Sequence, residues 1–226
     1  MRIVKLILGD IHFQFKYGFY FIYLLFCALY VFLLFIFPET WREKAVSIMI
    51  YSDPAAMGLF FMGAIVLLEK SQRVLNALAV SPVKAIEYII AKTISLMLIS
   101  VLVSFVLAFV AGIRNIPEVL LATALTSIIF TLLGLIAATK INSLNQYIIM
   151  TAPLELICFV PPIIYLFVPS AIIQWYPLNG SMALISNSSQ NPLRDISMLL
   201  IVIVCLFMVA QRATMKMWRS LGGVKL

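Results

Sequence analysis

Long stretches without a charged residue dominate this sequence and determine the environment in which it can fold. A membrane-spanning helix needs about 20 consecutive apolar residues, and 64% of this chain is hydrophobic while only 11% is charged. Soluble domains are about 45–50% apolar and about 25% charged. The pattern predicts an all-α polytopic membrane protein with one span for each of six uncharged stretches, which are Tyr17–Pro38, Pro54–Leu68, Thr93–Ile113, Val119–Thr139, Leu156–Leu193 and Ile196–Gln211.

Two of these stretches are short for a membrane-spanning helix. The second has 15 residues, so its helix is expected to begin near Asp53 or before it, with Asp53 as the N-cap and Pro54 in the first turn. The sixth has 16 residues, and we expect it to gain length because Arg212 reaches towards the lipid headgroups.

The fifth stretch is too long for one span and is rich in proline. From about Leu144 we expect a spanning helix to about Val160, then a broken segment over residues 161–189 that partly re-enters the membrane from outside. Irregular backbone at that depth requires cover from protein or water. Four of the ten prolines lie between Leu144 and Ser170: Pro153, Pro161, Pro162 and Pro169.

Basic residues predict the orientation of the six spans, because cytoplasmic loops carry an excess of Lys and Arg. Both termini fall on the side that holds twelve of the sixteen basic residues, and that side is therefore predicted to be cytoplasmic. The other side holds only Arg42, Lys44, Arg114 and Arg194.

The segment 1–17 precedes the first span and has amphipathic helical periodicity. Arg2, Lys5, Gly9, His12 and Lys16 recur at steps of three or four residues, which places them on one stripe of a helix. A basic amphipathic helix lying at the inner membrane surface is predicted here.

Motifs for catalysis and metal binding are missing from the sequence. No glycine precedes a lysine, so there is no phosphate-binding loop. Cys27, Cys158 and Cys205 are far apart, and His12 is the only histidine. We therefore expect no catalytic residue, metal or cofactor in this chain, and the placement of its positive charge indicates the lipid bilayer and not nucleic acid as its partner.

The loop over residues 69–91, on the predicted cytoplasmic side, contains a candidate docking element. Gln72–Val80 is expected to form a short helix, and Ser81-Pro82 is expected to cap and begin the next one. Arg73 and Asn76 would share a polar face. Leu75, Leu78 and Ala79 would form an apolar face suited to a groove on another protein. An ordinary interfacial loop remains the alternative.

This loop resembles that of the ABC-2 type transporter permeases, and is most similar to the bacterial branch of fluoroquinolone or multidrug export permeases. The residues that carry the resemblance are Glu69, the run Arg73–Val83, Glu87-Tyr88 and Lys92. The resemblance covers the whole chain, 1–226, as one transmembrane domain.

The resemblance implies a permease subunit of the bacterial plasma membrane that exports a drug-like or amphipathic compound. A second permease, identical or paralogous, would complete a dimer. ATP and Mg would bind to separate cytosolic ATPase subunits. The implied ATPase-coupling residues are Glu69, Gln72, Arg73, Leu75, Asn76, Leu78, Ala79, Ser81 and Pro82.

Glu155 is a carboxylate expected deep in the predicted fifth span, about 15 Å beyond Asn145 at 1.5 Å per residue. An intramembrane carboxylate is a candidate functional site because its burial is costly. The alternative is a structural role as a neutral side chain that hydrogen-bonds between helices. Two alternative functions therefore stay open: a proton-coupled carrier that uses Glu155, and a membrane assembly subunit that transports nothing.

Overall fold

The computed structural model describes residues 2–52, 56–168 and 173–221, and these residues form helices joined by short turns. The predicted all-α fold is confirmed for this part of the chain. Its ten α-helices are α1 Arg2–Lys16, α2 Phe19–Ile36, α3 Glu39–Ile50, α4 Met57–Ser71, α5 Val74–Ala79, α6 Ala85–Val110, α7 Ile116–Thr139, α8 Leu144–Phe167, α9 Pro177–Ile185 and α10 Pro192–Leu221.

Five of these helices have the length and composition needed to cross a membrane, namely α2, α6, α7, α8 and α10. The predicted second span differs from them. Its region forms the two helices α3 and α4, and α4 contains only 15 residues. The predicted helix start at Asp53-Pro54 lies outside the described residues.

Helix α4 nevertheless packs closely along α7, because glycines let the two backbones approach each other. A Cβ atom on Gly58 would lie 2.3 Å from the Thr131 hydroxyl, and one on Gly134 would lie 2.7 Å from the carbonyl oxygen of Leu59. At the end of α4, Lys70 donates to the carbonyl of Ile141 at 2.5 Å. The two helices therefore run parallel, in the centre of the bundle.

Helices α6 and α7 are antiparallel and share buried hydroxyl pairs. Ser100 and Ser127 hydrogen-bond at 3.0 Å, and Ser104 donates to Thr123 at 3.0 Å. The turn between the two helices lies at the same end of the bundle as α9, which we call the α9 end. The opposite end holds α1, α5 and the last turns of α10, and we call it the α5 end.

Helix α8 continues to Phe167 and does not break at Pro161, where the sequence analysis placed the start of the broken segment. Prolines at 161 and 162 have no amide hydrogen and leave the carbonyls of Ile157 and Cys158 without helical partners. Tyr176 donates to the first at 2.8 Å, and Tyr51 donates to the second at 2.8 Å. The helix persists because two tyrosines replace the missing donors.

Helix α9 is the main element of the described part of segment 161–189. It follows a 3₁₀ turn at Ile173–Trp175, and all its residues from Leu178 to Ile185 are buried. Its neighbours are α7, α8 and α10, and the Ser181 hydroxyl bonds to that of Thr126, within α7. Residues 169–172, which include Pro169, lie outside the described residues.

Candidate functional site

Helix α5 begins where the chain turns sharply after α4. Gln72 follows the last residue of α4, and Arg73 has a left-handed backbone with φ 57°, a conformation that is uncommon outside glycine. Helix α5 is therefore shorter than the predicted Gln72–Val80 element. The side-chain amide of Gln72 donates to the hydroxyl of Tyr17, next to α1.

The inner face of α5 is packed into the protein itself. Leu75 is fully buried in a core cluster with Tyr88 of α6 and Met217 of α10. Leu78 is half-buried against the same cluster, and Ala79 is also half-buried. The apolar face that the sequence analysis assigned to a partner is thus turned inward, because Leu75 and Leu78 complete the core beneath the loop.

A different face of α5 points away from the protein. Arg73, Asn76, Ala77 and Val80 are exposed, and Val80 is 82% exposed. Asn76 and Ala77 lie within α5, and Arg73 and Val80 flank it, each three residues away from one of them. We call these four residues the outer stripe.

Ser81 and Pro82 do not start the next helix as predicted. The Ser81 hydroxyl donates to the carbonyl of Leu78 at 2.8 Å and accepts from the Val83 amide at 3.3 Å, so it closes the end of α5. Helix α6 begins three residues after Pro82, at Ala85. Its start is closed by the Glu87 carboxylate, which accepts from the Lys84 amide at 2.9 Å. Such a side-chain acceptor satisfies an amide that has no partner in the helix.

Glu69 belongs to a buried ionic cluster that joins three helices. Lys92 of α6 donates to Glu69 of α4 and to Asp10 of α1, each at 2.5 Å. The hydroxyl of Tyr88 donates to the other oxygen of Glu69 at 2.7 Å. Lys92 is 1% exposed, and one turn further along, Gln14 donates to Ser95 at 2.9 Å.

The cluster holds two carboxylates and one ammonium group, so its full ionisation would bury a net negative charge. Burial raises the pKa of Asp10 above its ordinary value of 3.8, although the Lys92 charge lowers it. One proton on Asp10 makes the cluster neutral, which is the less costly state in a dry site. The cluster holds the end of α4, which leads into α5, against α1 and α6.

Sequence reasoning missed Asp10 and Lys92 as partners of Glu69. In the sequence analysis Lys92 was one of the residues of the family resemblance and a positive charge of the predicted cytoplasmic side, and no partner was assigned to it. A signal was available in α1, since Asp10 and Gln14 lie one turn apart, off the basic stripe. Polar residues that lie away from the solvent-facing side of an amphipathic helix indicate contact with another polar surface.

Glu155 lies on α8, far from the ionic cluster along the chain. Its side chain is half-buried, and it makes no hydrogen bond or ion pair with the described residues. No set of three or more potential metal ligands occurs in the part of the chain that the structure describes.

Comparison with known proteins shows which family this helical membrane protein belongs to. The model of the fluoroquinolones export permease protein family matches residues 1–219. The fluoroquinolones export permease proteins of two Mycobacterium tuberculosis strains are each 26% identical to this chain over 153 residues. The match covers 66% of this chain and 64% of each relative, just under two thirds of the relatives' length. With the family match over nearly the whole chain and five helices able to span a membrane, this multi-pass membrane protein belongs to the fluoroquinolones export permease protein family.

Proposed function

We propose that this chain is the membrane subunit of an ATP-driven exporter. Cytosolic ATPase subunits, which bind ATP and Mg, would dock at the α5 end. A second permease, identical or paralogous, would complete the transport path. The exported compound would be drug-like or amphipathic, since the related mycobacterial proteins are named for fluoroquinolone export.

The outer stripe of α5 is the observation that carries this proposal. A helix of six residues is too short to be stable alone, yet the burial of Leu75 holds α5 in place with its opposite face exposed. A fixed helix with one free face is suited to a groove on a partner. Val80 and Ala77 would supply apolar contact, and Arg73 and Asn76 would set the register.

The contacts of α5 with its neighbouring helices would transmit a movement of the ATPase to the helix bundle. Movement of α5 would reach α4 and α6 through Glu69 and Lys92, and it would reach α10 through the Leu75 cluster. Because α4 is packed backbone-to-backbone on α7, such a movement would turn α4 and α7 together. ATP binding would in this way shift the dimer between inward-open and outward-open states.

A topology of six spans with both termini in the cytoplasm completes the proposal. The parallel packing of α4 and α7 supports it, because the predicted second and fourth spans must run in the same direction. The burial of α9 supports its entry into the membrane from outside. At that position α9 would cap the outer end of the transport path.

Glu155 keeps one alternative open, a carrier driven by protons. Its half-buried carboxylate makes no hydrogen bond or ion pair with the described residues, and carboxylates within membrane spans mark the proton pathways of carriers. Transport by the purified chain without an ATPase, driven by a pH gradient and lost in Glu155→Gln, would support that alternative. Complex formation without the movement of any compound would instead support an assembly role.

A binding and transport assay tests the proposal. The ATPase encoded beside this chain is captured with wild-type permease and with Val80→Asp, and efflux is measured in the same cells. Val80→Asp should weaken both capture and efflux while membrane insertion stays normal. Leu193→Asp is the matched control, because Leu193 is 80% exposed at the opposite end of the bundle. Equal capture and efflux for Val80→Asp and wild type would refute docking through the outer stripe.

The topology is tested by labelling single cysteines with a reagent that cannot cross the membrane. Positions 44, 114 and 187 should react from outside, whereas positions 76, 140 and 216 should not. Reaction of position 76 from outside would show that the predicted orientation is wrong. Helix α5 would then face away from the cytosol and could not bind a cytosolic ATPase.

A further inference from the structure

A groove of about 610 Å³ opens at the α5 end of the bundle, between the last turns of α4 and the start of α8. We call it the α4–α8 groove and define it by Ala64, Leu68, Lys70, Ser143 and Leu144, all of which line it. Sites for small ligands measure about 300–1,000 Å³. The groove therefore has room for a ligand of that size.

The mouth of the groove lies at the level of the membrane surface. Helices α7 and α8 are both able to span a membrane, and the first ends at Thr139 while the second begins at Leu144. The Lys70 ammonium donates to the carbonyls of Ala138 at 2.9 Å and of Ile141 at 2.5 Å, so it lies at the same level. The groove thus opens where lipid headgroups lie.

The floor of the groove is apolar and extends towards the membrane interior. Ala64 and Leu68 line it from α4, and Ala64 lies about 9 Å from Lys70 along the helix. On α8, Leu144 is 52% exposed, and Ile148, one turn deeper on the same side, is also 52% exposed. Apolar surface on both helices is suited to an acyl chain.

The mouth of the groove is polar and carries a positive charge. An ammonium group has three N–H donors, and the two carbonyls at the end of α7 accept two of those of Lys70. One donor is left for a ligand. Ser71, Asn142 and Ser143 also line the groove and are exposed, so their hydroxyl and amide groups are available as well.

No acidic side chain among the described residues balances Lys70 in an ion pair. Neither the lining of the groove nor the first turn of α8 contains an acidic residue. Glu69 precedes Lys70 in α4, but it is buried and its two oxygens accept from Lys92 and Tyr88. A phosphate at the mouth would therefore meet the Lys70 charge and the positive end of the α8 dipole.

We propose that the α4–α8 groove binds an anionic phospholipid of the inner leaflet, held as part of the folded protein and not as exported cargo. Its phosphate would accept from Lys70 and Ser143, and an acyl chain would lie along Leu68, Ala64 and Ile148. A lipid fits better than a second permease, because the polar donors gather at headgroup level and apolar surface continues below them. The choice of leaflet rests on the proposed topology, whereas binding itself does not.

Native mass spectrometry of the purified full chain counts the lipids that stay bound. The chain is given equal amounts of phosphatidylglycerol and phosphatidylethanolamine with identical acyl chains. Phosphatidylglycerol should be retained about fivefold more, because one lysine near the surface favours an anionic lipid by about that factor. Equal retention of the two lipids would overturn the proposal.

A soluble headgroup tests the role of the apolar floor. Glycerophosphoglycerol carries the headgroup of phosphatidylglycerol but no acyl chain, so it should not displace the bound lipid at equal concentration. Displacement at equal concentration would show that the groove binds a free phosphate compound, and the lipid proposal would be wrong.

Two variants test the mouth of the groove. Leu144→Glu adds a carboxylate there while favouring the start of α8, so phosphatidylglycerol retention should fall about fivefold without loss of thermal stability. Lys70→Gln removes the charge but keeps a donor for the α7 carbonyls, and it should lower retention similarly. The matched controls are Leu193→Glu, in the first turn of α10, and Lys216→Gln, and both should retain the lipid. Unchanged retention in both groove variants would refute the site.

The same spectra show whether a second copy of the chain covers the groove instead. Loss of the dimer in Leu144→Glu with phosphatidylglycerol retained would assign the groove to the dimer interface and overturn the proposal. These measurements use neither an ATPase nor efflux, so their failure is separate from a failure of ATPase capture.

Discussion

The hydroxyl of Tyr51 donates to the carbonyl oxygen of Cys158 at 2.8 Å, and this carbonyl has no helical partner because Pro162 lacks an amide hydrogen. Tyr51 is fully buried and lies at the end of α3, 107 residues before its acceptor. The contact ties the α3–α4 region to α8. It also satisfies a polar group that the membrane interior would leave unpaired.

Removal of this donor should destabilise the protein. Tyr51→Phe leaves the carbonyl of Cys158 buried and unpaired, at a cost of about 1–3 kcal/mol. Pro162→Ala restores a helical amide, so Tyr51→Phe should cost less in that background. Thermal unfolding in detergent measures the four variants of this cycle. Tyr165→Phe is the control, since its hydroxyl makes no hydrogen bond to a described residue. Equal losses from Tyr51→Phe in both backgrounds would contradict the interpretation.

The stability of the α1 contact should fall as pH rises. The pKa of Asp10 is raised in the folded protein, so the folded state binds this proton more tightly than the unfolded state does. The stabilisation is complete below the ordinary pKa of 3.8 and is lost as pH rises through the raised value. The protection factors of the α1 amides, in which the intrinsic pH dependence of exchange is divided out, should therefore fall across that interval.

Asp10→Asn tests the assignment of this pH effect. The asparagine cannot ionise, so α1 exchange in the variant should lose the Asp10-dependent change over the same interval. His12→Gln is the control for the only histidine of α1. An identical pH profile for Asp10→Asn and wild type would show that another group titrates.

Lys92→Met should be among the most damaging substitutions at the α5 end. It leaves Glu69 and Asp10 buried without their cation, and loss of one partner from a buried ion pair costs about 3–5 kcal/mol. Adding Asp10→Asn and Glu69→Gln should restore much of the stability, because the charges are then removed together. Lys216→Met, at an exposed position, should be neutral. A triple variant no more stable than Lys92→Met would argue against charge burial as the cause.

The two faces of α5 should respond differently to a new charge. Leu75→Asp places a carboxylate in the core, so we expect loss of folded protein in size-exclusion chromatography. Asn76→Asp lies on the outer stripe and should leave folding intact. Normal folding of Leu75→Asp would show that α5 is not anchored as described.

Gly134→Ala should disturb the α4–α7 contact. The added Cβ would lie 2.7 Å from the backbone oxygen of Leu59, which cannot rotate away. Gly9→Ala is the matched control, because nothing lies within 4 Å of its added Cβ, and alanine favours the helix by about 1 kcal/mol. Thermal unfolding should therefore move in opposite directions for the two variants. Equal stability would mean that α4 can shift away from α7.

The sequence by itself determined the membrane setting, the helical class and the family of this protein. Hydropathy is a local property, so long apolar stretches are visible without knowledge of any contact. The amphipathic segment before α2 and the short helix near Asn76 were also predictable, since each depends on spacing along one helix.

Only the tertiary structure decided which side of each helix meets which neighbour. Lys92 is a marker of membrane side in the sequence, yet its partner Asp10 lies 82 residues earlier. Leu75 was expected to contact a partner, but it completes the core beneath α5. Pro161 was expected to break α8, but Tyr176 supplies the missing donor. Such pairings depend on contacts between residues distant in the chain, and no local pattern of residue types specifies them.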